Sequence, residues 1–360
     1  MVFLVVSSGA LEGITAQTLR AIISGRVTDA ATREALPNVN VFLAGTSLGA
    51  ATDREGRFVI TNVPLAAHEL VVSMVGYKRQ AIPLRIFESR VHTVDVRLQP
   101  MAIETPPVEV VAKDPTEWRE QLERFTREFF GETRNAERCR IVNPEVLNFQ
   151  VKGNVFQVAA PVSILVENRA LGYRIEFFLE EFQIEDYTLQ YRAKTRFEEL
   201  TPQDEEERLR WEEQRKKAYY GSPTHFLKAL AQGRTKEEGF EVSLVSSVRP
   251  LTRDDRSRVA VNPQSFVQGT EFELQKRLSF PNYLEIIYTR ELAEPNFQRM
   301  FNTPTPLTER QISWIGMNRL TALFTTEGHL LDTYALKVFG YWAFERIADL
   351  LPMDYDPTKN

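Results

Sequence analysis

From Ile22 to Gln99 the sequence alternates apolar and polar residues in short runs, ISGRVTDA, NVNVFLAG, GRFVITNV, HELVVSMVGY and RVHTVDVRLQ, each stopped by turn-forming residues. An extended chain points successive side chains to opposite faces, so a period of two dictates half-buried strands. Spacing this regular, with no helical stretch between the runs, predicts a β-sandwich over residues 20–100. Its core is expected from Val27, Val39, Val41, Phe58, Ile60, Leu70, Val72, Val94 and Val96.

One reversal, ATDREGRF from Ala51 to Phe58, sets Asp53 and Glu55 beside Gly56 and invites a cation-binding reading. An EF-type calcium loop needs oxygens at alternate positions, glycine sixth and a bidentate glutamate twelfth. Here Gly56 comes fourth, and the residues from Val59 onward belong to the next strand. The spacing fits a structural turn, with Gly56 at positive φ and Asp53 bonding nearby backbone amides. The histidines, His68, His92, His225 and His329, form neither an HExxH pair nor a close His/Cys cluster, so no metal and no cofactor is expected. The single cysteine, Cys139, cannot form an intramolecular disulfide, and its neighbours Arg138 and Arg140 would depress its pKa if it were exposed.

At 360 residues and 43% hydrophobic, the chain can bury a large core and divides into more than one domain. A net charge of -5 provides no basic field for nucleic acid. No internal stretch approaches the ~20 apolar residues of a membrane span. The opening MVFLVVSSGALEGITAQ reads as an incomplete signal peptide over residues 1–16, since it lacks a basic start and carries Glu12. That places the mature protein in the periplasm, at the outer-membrane periphery or outside the cell.

Residues 101–115 read as a linker, stiffened by Pro106 and Pro107 and closed by Pro115. Beyond it, 116–352 reads as an α+β domain with an antiparallel sheet and two or three helices. Trp118, Leu122, Phe125, Phe129 and Phe130 recur at helical spacing. NVFQVAAPVSILVEN and GYRIEFFLEEFQIEDYTLQYRAK read as strands. A long helix follows Thr201-Pro202, acidic first and basic last, and a short one follows the break at Gly221 and Pro223. Strands return from Phe240, with YALKVFGYWAFERI as the last.

The first half resembles the carboxypeptidase regulatory-like domain, a transthyretin-like sandwich of Bacteroidota envelope proteins. The likeness rests on Gly25, Val27 and Asp29, on Leu36, Pro37, Val39 and Val41, on Thr52, Asp53, Gly56 and Phe58, and on Gly76 and Tyr77. It implies a non-catalytic module. NPEVLNF, ENRALGYRI, the pattern Trp211 to Leu227 and GYWAFERIADLLP resemble the region that accompanies this domain in such proteins, for which the resemblance implies no reaction.

The candidate ligand-binding set is Trp211, Arg215, Tyr219, Tyr220 and His225. The first three fall four apart on one helical face, and the Gly-Ser break brings His225 near, so the set offers rings and a cation for a sugar or a carboxylate. The same spacing also suits core anchors, with Arg215 paired to Glu212. Glu180 with Glu181, and Glu198 with Glu199, are expected on opposite strand faces and so do not form a glycosidase pair. Ser222 is expected as a helix N-cap and not as a nucleophile, because no G-x-S-x-G elbow surrounds it. His329 and Asp332 fall short of a metal site. The expected function is a non-catalytic envelope or secreted module that docks a protein or glycan partner; the alternative is a hydrolase with its cleft in the second domain.

Overall fold

The computed structural model describes residues 20–101, 115–186, 188–248, 258–299 and 309–358. The segment read as an incomplete signal peptide and nearly all of the segment read as a linker lie outside these residues. Among the described residues, no helix is long and apolar enough to cross a membrane.

The alternating runs form eight strands: β1 (Arg20–Asp29), β2 (Asn40–Leu43), β3 (Gly49–Ala51), β4 (Arg57–Pro64), β5 (Ala66–Ser73), β6 (Gln80–Ile86), β7 (Val91–Thr93) and β8 (Val96–Leu98). They make two four-stranded sheets, β4-β1-β7 with β8 also on β1, and β3-β2-β5-β6. β7 and β8 run parallel to β1, whereas β4 is antiparallel to it. The expected core residues are buried between the sheets, except that Val94 is half-buried and packs at the margin. Asp29 ties the end of β1 to the turn that follows β5. Its carboxylate accepts from the N–H of Ala31 at 2.7 Å and of Thr32 at 2.9 Å, and from the Tyr77 hydroxyl at 2.9 Å. These bonds, that from Thr32 foremost, hold Asp29 below its ordinary pKa.

Among the described residues, 116–352 contain three buried apolar clusters, one of them gathering Val245, Phe297, Ile312, Trp314, Tyr341 and Phe344. The first lies under helix α1 (Pro115–Phe130), whose aromatic stripe meets a six-stranded antiparallel sheet. That sheet comprises β9 (Cys139–Ile141), β10 (Asn148–Lys152), β11 (Val155–Ala159), β12 (Ile164–Asn168), β13 (Tyr173–Glu185) and β14 (Thr188–Glu199). Phe125 packs edge-on against Phe182 at 4.9 Å, and Phe129 against Phe177 at 5.1 Å. Helix α2 (Glu205–Tyr219) contributes Ala218 to the first core, and the second lies among helix α3 (Pro223–Ala231), a five-stranded sheet and a three-stranded one. The last run expected as a strand divides: Leu336–Gly340 is extended, and Tyr341–Phe344 is one helical turn. Gly340 makes that switch at φ 75, where an added Cβ would sit 2.4 Å from the Ile312 carbonyl oxygen.

The sandwich is docked on the six-stranded sheet. Gly45 N–H donates to the Thr195 carbonyl at 2.7 Å, and Phe197 N–H to that of Thr46 at 3.0 Å, extending the edge of β14. Phe42 stacks on Phe178 at 5.6 Å beside Val71, and Lys194 pairs with Glu69 at 2.5 Å. The C-terminal segment then crosses all three units. Asn168 Nδ2 donates to the Ala348 carbonyl at 2.9 Å, Met353 N–H to that of Gly45 at 2.7 Å, and Asp354 accepts from Ser47 N–H at 2.9 Å.

Phe178→Ala should cost about 3 kcal/mol by emptying the dock. Trp118, Trp211, Trp314 and Trp342 all lie outside the sandwich. Urea unfolding followed by tryptophan fluorescence and by far-UV circular dichroism should therefore coincide in the parent chain and separate in the variant.

Candidate functional site

Helix α2 starts at Glu205, later than the Thr201-Pro202 start expected, because Asp204 caps it: its carboxylate accepts from Glu207 N–H at 2.8 Å. Glutamates fill the first turn, and Lys216 and Lys217 close the last, as the helix dipole favours. The buried face is narrow and carries Trp211, Arg215 and Tyr219. Trp211 Nε1 donates to the Arg169 carbonyl at 2.8 Å. Arg215 Nε donates to the Leu171 carbonyl at 2.7 Å, and its terminal nitrogens reach the Gly172 carbonyl at 3.3 Å and Glu199 at 3.2 Å. The guanidinium lies 4.1 Å from the centre of the Tyr173 ring. Glu212, the partner expected for Arg215, pairs with Arg208 instead. Gly172 sits at φ 71, and a Cβ there would fall 2.3 Å from the Trp211 ring. One helix face thus grips the 169–173 turn by its backbone.

Past the break, Ser222 accepts from His225 N–H at 3.2 Å and Pro223 opens α3. Gly221 N–H donates to His225 Nδ1 at 3.1 Å, which leaves the proton on Nε2, 3.5 Å from Glu238. The ring is enclosed by Tyr219 and Tyr220 at 5.3 Å, Phe240 at 4.9 Å and Tyr288 at 5.8 Å. Burial pushes the His225 pKa down, against the opposing pull of Glu238. The five candidate residues therefore divide between two units. Trp211 and Arg215, 3% and 7% exposed, hold the six-stranded sheet; half-buried Tyr220 and His225 pack against the second core, and Tyr219 lies between His225 and Tyr355. In place of an open aromatic platform, the set forms a junction.

The other candidates fall as follows. Asp53 Oδ1 accepts from the N–H of Glu55 at 3.0 Å and of Arg57 at 2.8 Å, and Gly56 takes φ 74. Glu180 and Glu181 do not face opposite ways: a bulge between Leu179 and Glu181 lets both carboxylates reach Arg192, at 2.9 and 3.7 Å. Cys139 is half-buried, and burial pushes its thiol pKa up, while Arg140 turns to Glu167 at 2.7 Å. Burial brings His329 to about 4, and Asp332 accepts from Tyr334 N–H at 2.9 Å and does not pair with it. Among the described residues no group of three His, Cys, Asp or Glu side chains could hold a metal. A shallow groove of about 520 Å³ lies along α1, lined by Leu122, Thr126, Arg127, Phe130 and the turn that follows.

Sequence reasoning missed a half-buried acid at Asp349. Its carboxylate accepts from Thr133 Oγ1 and Asn135 Nδ2, both at 2.7 Å. Nearby, Glu294 accepts from Arg134 N–H at 2.9 Å. Burial pushes Asp349 up to about 6 and raises Glu294 and Glu345 as well. The contacts between Asp349 and residues 133 and 135 span more than two hundred positions, and no local spacing announces them.

Residues 23–110 match the model of the CarboxypepD_reg-like domain, so the chain carries that domain. No curated protein matches the chain. Among solved structures, a type II Cohesin-X-Dockerin complex from Acetivibrio cellulolyticus is 18% identical, with 21% of this chain and 52% of that chain covered at a TM-score of 0.19. A Streptococcal ancillary pilin is 18% identical over 24% of this chain and 34% of that one, with a TM-score of 0.21. A DUF3823 family protein from Bacteroides uniformis is 13% identical over 85% and 99%, with a TM-score of 0.16. The chain spans about half the length of the first of these. At such scores none bears on function.

Trp211→Ala should destabilise the chain by about 3 to 5 kcal/mol, measured by denaturant titration, because it empties a buried site and leaves the Arg169 carbonyl without its donor. For Asp349, the raised pKa means that the folded state retains a proton the unfolded chain has lost. Stability should therefore fall as pH rises from the ordinary carboxylate range through about 6. Asp349→Asn should flatten the thermal midpoint between pH 5 and pH 8 relative to the parent.

Proposed function

We propose that this protein is a non-catalytic module of the cell envelope that holds a protein or glycan partner on a preassembled surface. The observation that carries the reading is the dock between sandwich and six-stranded sheet. Main-chain bonds from Gly45 and to Thr46, together with the Phe42–Phe178 stack, join the regulatory-like domain to its neighbour without a gap. The C-terminal segment adds Met353 and Asp354 to the same loop. A surface fixed in this way binds without first ordering itself, which is the main saving open to a docking module.

The polar groups of the candidate set support the same reading. Arg215 spends its donors on Leu171, Gly172 and Glu199, and His225 spends Nδ1 on Gly221, so neither is free to act on a substrate. An envelope location agrees with the apolar opening of the sequence and with the regulatory-like domain.

Immobilised protein should retain the same envelope protein or glycan from independent extracts. In parallel, chromogenic glycosides and esters should release no product above buffer. Turnover proportional to protein concentration would overturn the proposal in favour of a hydrolase.

A further inference from the structure

The outer face of the six-stranded sheet is only half covered. The sandwich packs over Phe178 and Lys194, while toward the β13–β14 turn Gln150, Gln157 and Gln190 are exposed and Gln183 is half-buried. On that half, four neighbouring strands present the same residue in register. Gln150 on β10 faces Gln157 on β11, Gln157 faces Gln183 on β13, and Gln183 faces Gln190 on β14. Their chain neighbours Phe149, Phe156, Phe182 and Leu189 point to the core under α1, so the glutamines point to solvent. At the usual strand spacing the row is roughly 14 Å long.

We propose that this glutamine row is a binding shelf for a neutral glycan chain laid across the strands. The inference rests on the binding function proposed above and names its surface and ligand class. Each amide presents both donors and an acceptor, the complement of a sugar hydroxyl, which also does both. Gln157 Nε2 donates to Gln183 Oε1 at 2.8 Å, so the central pair is held in place before any ligand arrives. Among the described residues, the amides of Gln150 and Gln190 have no hydrogen-bond partner. In a chain with 26% charged residues, an uncharged row of four on an exposed face departs from the usual solvated surface.

The borders of the row select the ligand. Glu181 and Glu185 on β13 are balanced by Lys152 on β10 and Arg192 on β14, which lie on the same face, so the border draws neither an acidic nor a basic polymer. Half-buried Tyr334 donates its hydroxyl to Glu181 at 3.1 Å, and the Arg192 guanidinium lies 5.8 Å from the centre of its ring, which sets one aromatic side chain at the border of the row. An aromatic face next to a row of amides suits the mixed apolar and hydroxyl faces of a sugar ring.

The test is native electrophoresis of the full chain through gels containing laminarin, dextran or galactomannan, with reducing ends assayed in each gel. At least one neutral polymer should retard the parent chain. The double variant Q183A/Q190A, with unchanged circular dichroism, should bind it roughly ten-fold more weakly, as the loss of two neutral hydrogen bonds requires. Thr61→Ala, on an exposed position of the sandwich, should bind like the parent. Absence of retardation by all three polymers, or retardation that the double variant keeps, overturns the shelf; the second result leaves a binding function standing at another surface. A concentration-dependent dimer abolished by the double variant also overturns it, in favour of a second copy as occupant. Release of reducing ends overturns the non-catalytic reading itself.

Discussion

The grip of α2 on the 169–173 turn is the contact on which the junction between the six-stranded sheet and helix α3 depends. Arg215 carries a full charge into a site 7% exposed, which is tolerable only because two carbonyls, Glu199 and the face of Tyr173 surround it. Lysine has neither the planar fork nor the stacking face to satisfy all four at once. Gly172 lets the Trp211 ring lie against the backbone, so helix and turn are mutually specified. Once α2 is fixed, Gly221 and the capped start of α3 follow, and they deliver His225 into its ring of aromatics. Trp342 completes the assembly by donating from Nε1 to the Gly221 carbonyl at 2.7 Å.

The sequence segments resembling the companion region of regulatory-like proteins meet at this junction. ENRALGYRI supplies the gripped turn, the Trp211 to Leu227 pattern supplies the helix pair, and GYWAFERIADLLP supplies Trp342 and the start of the strap. Side chains that first suggest a ligand site because they are aromatic and charged thus have a full account as structural partners. Their partners are largely backbone carbonyls, which any residue can supply.

That distinction explains what was legible in the sequence. The sandwich and the helices follow from period and capping, which are local: Val27 and Val39 lie inside because strands alternate, and α2 follows an acidic first turn. The partner of Arg215 was not legible, since Leu171 and Gly172 bind through their main chain. Nor was the side of the sheet taken by Glu180, because one inserted residue reverses the alternation. The split of the last run turned on Gly340, whose positive φ ends the strand although the apolar pattern continues. Asp349 was illegible for another reason: its burial is created by elements far away along the chain.

The strap carries an implication for how the chain matures. Ser47 and Asp354 are separated by 307 positions, so their contact closes only after all the residues between them have been made. Domains emerging first can fold first, and an early sandwich would then wait with Phe42 uncovered until β13 arrives and the tail seals it. Until then the Phe42 ring, which stacks on Phe178 in the dock, is an aromatic face that the sandwich's own two sheets do not cover.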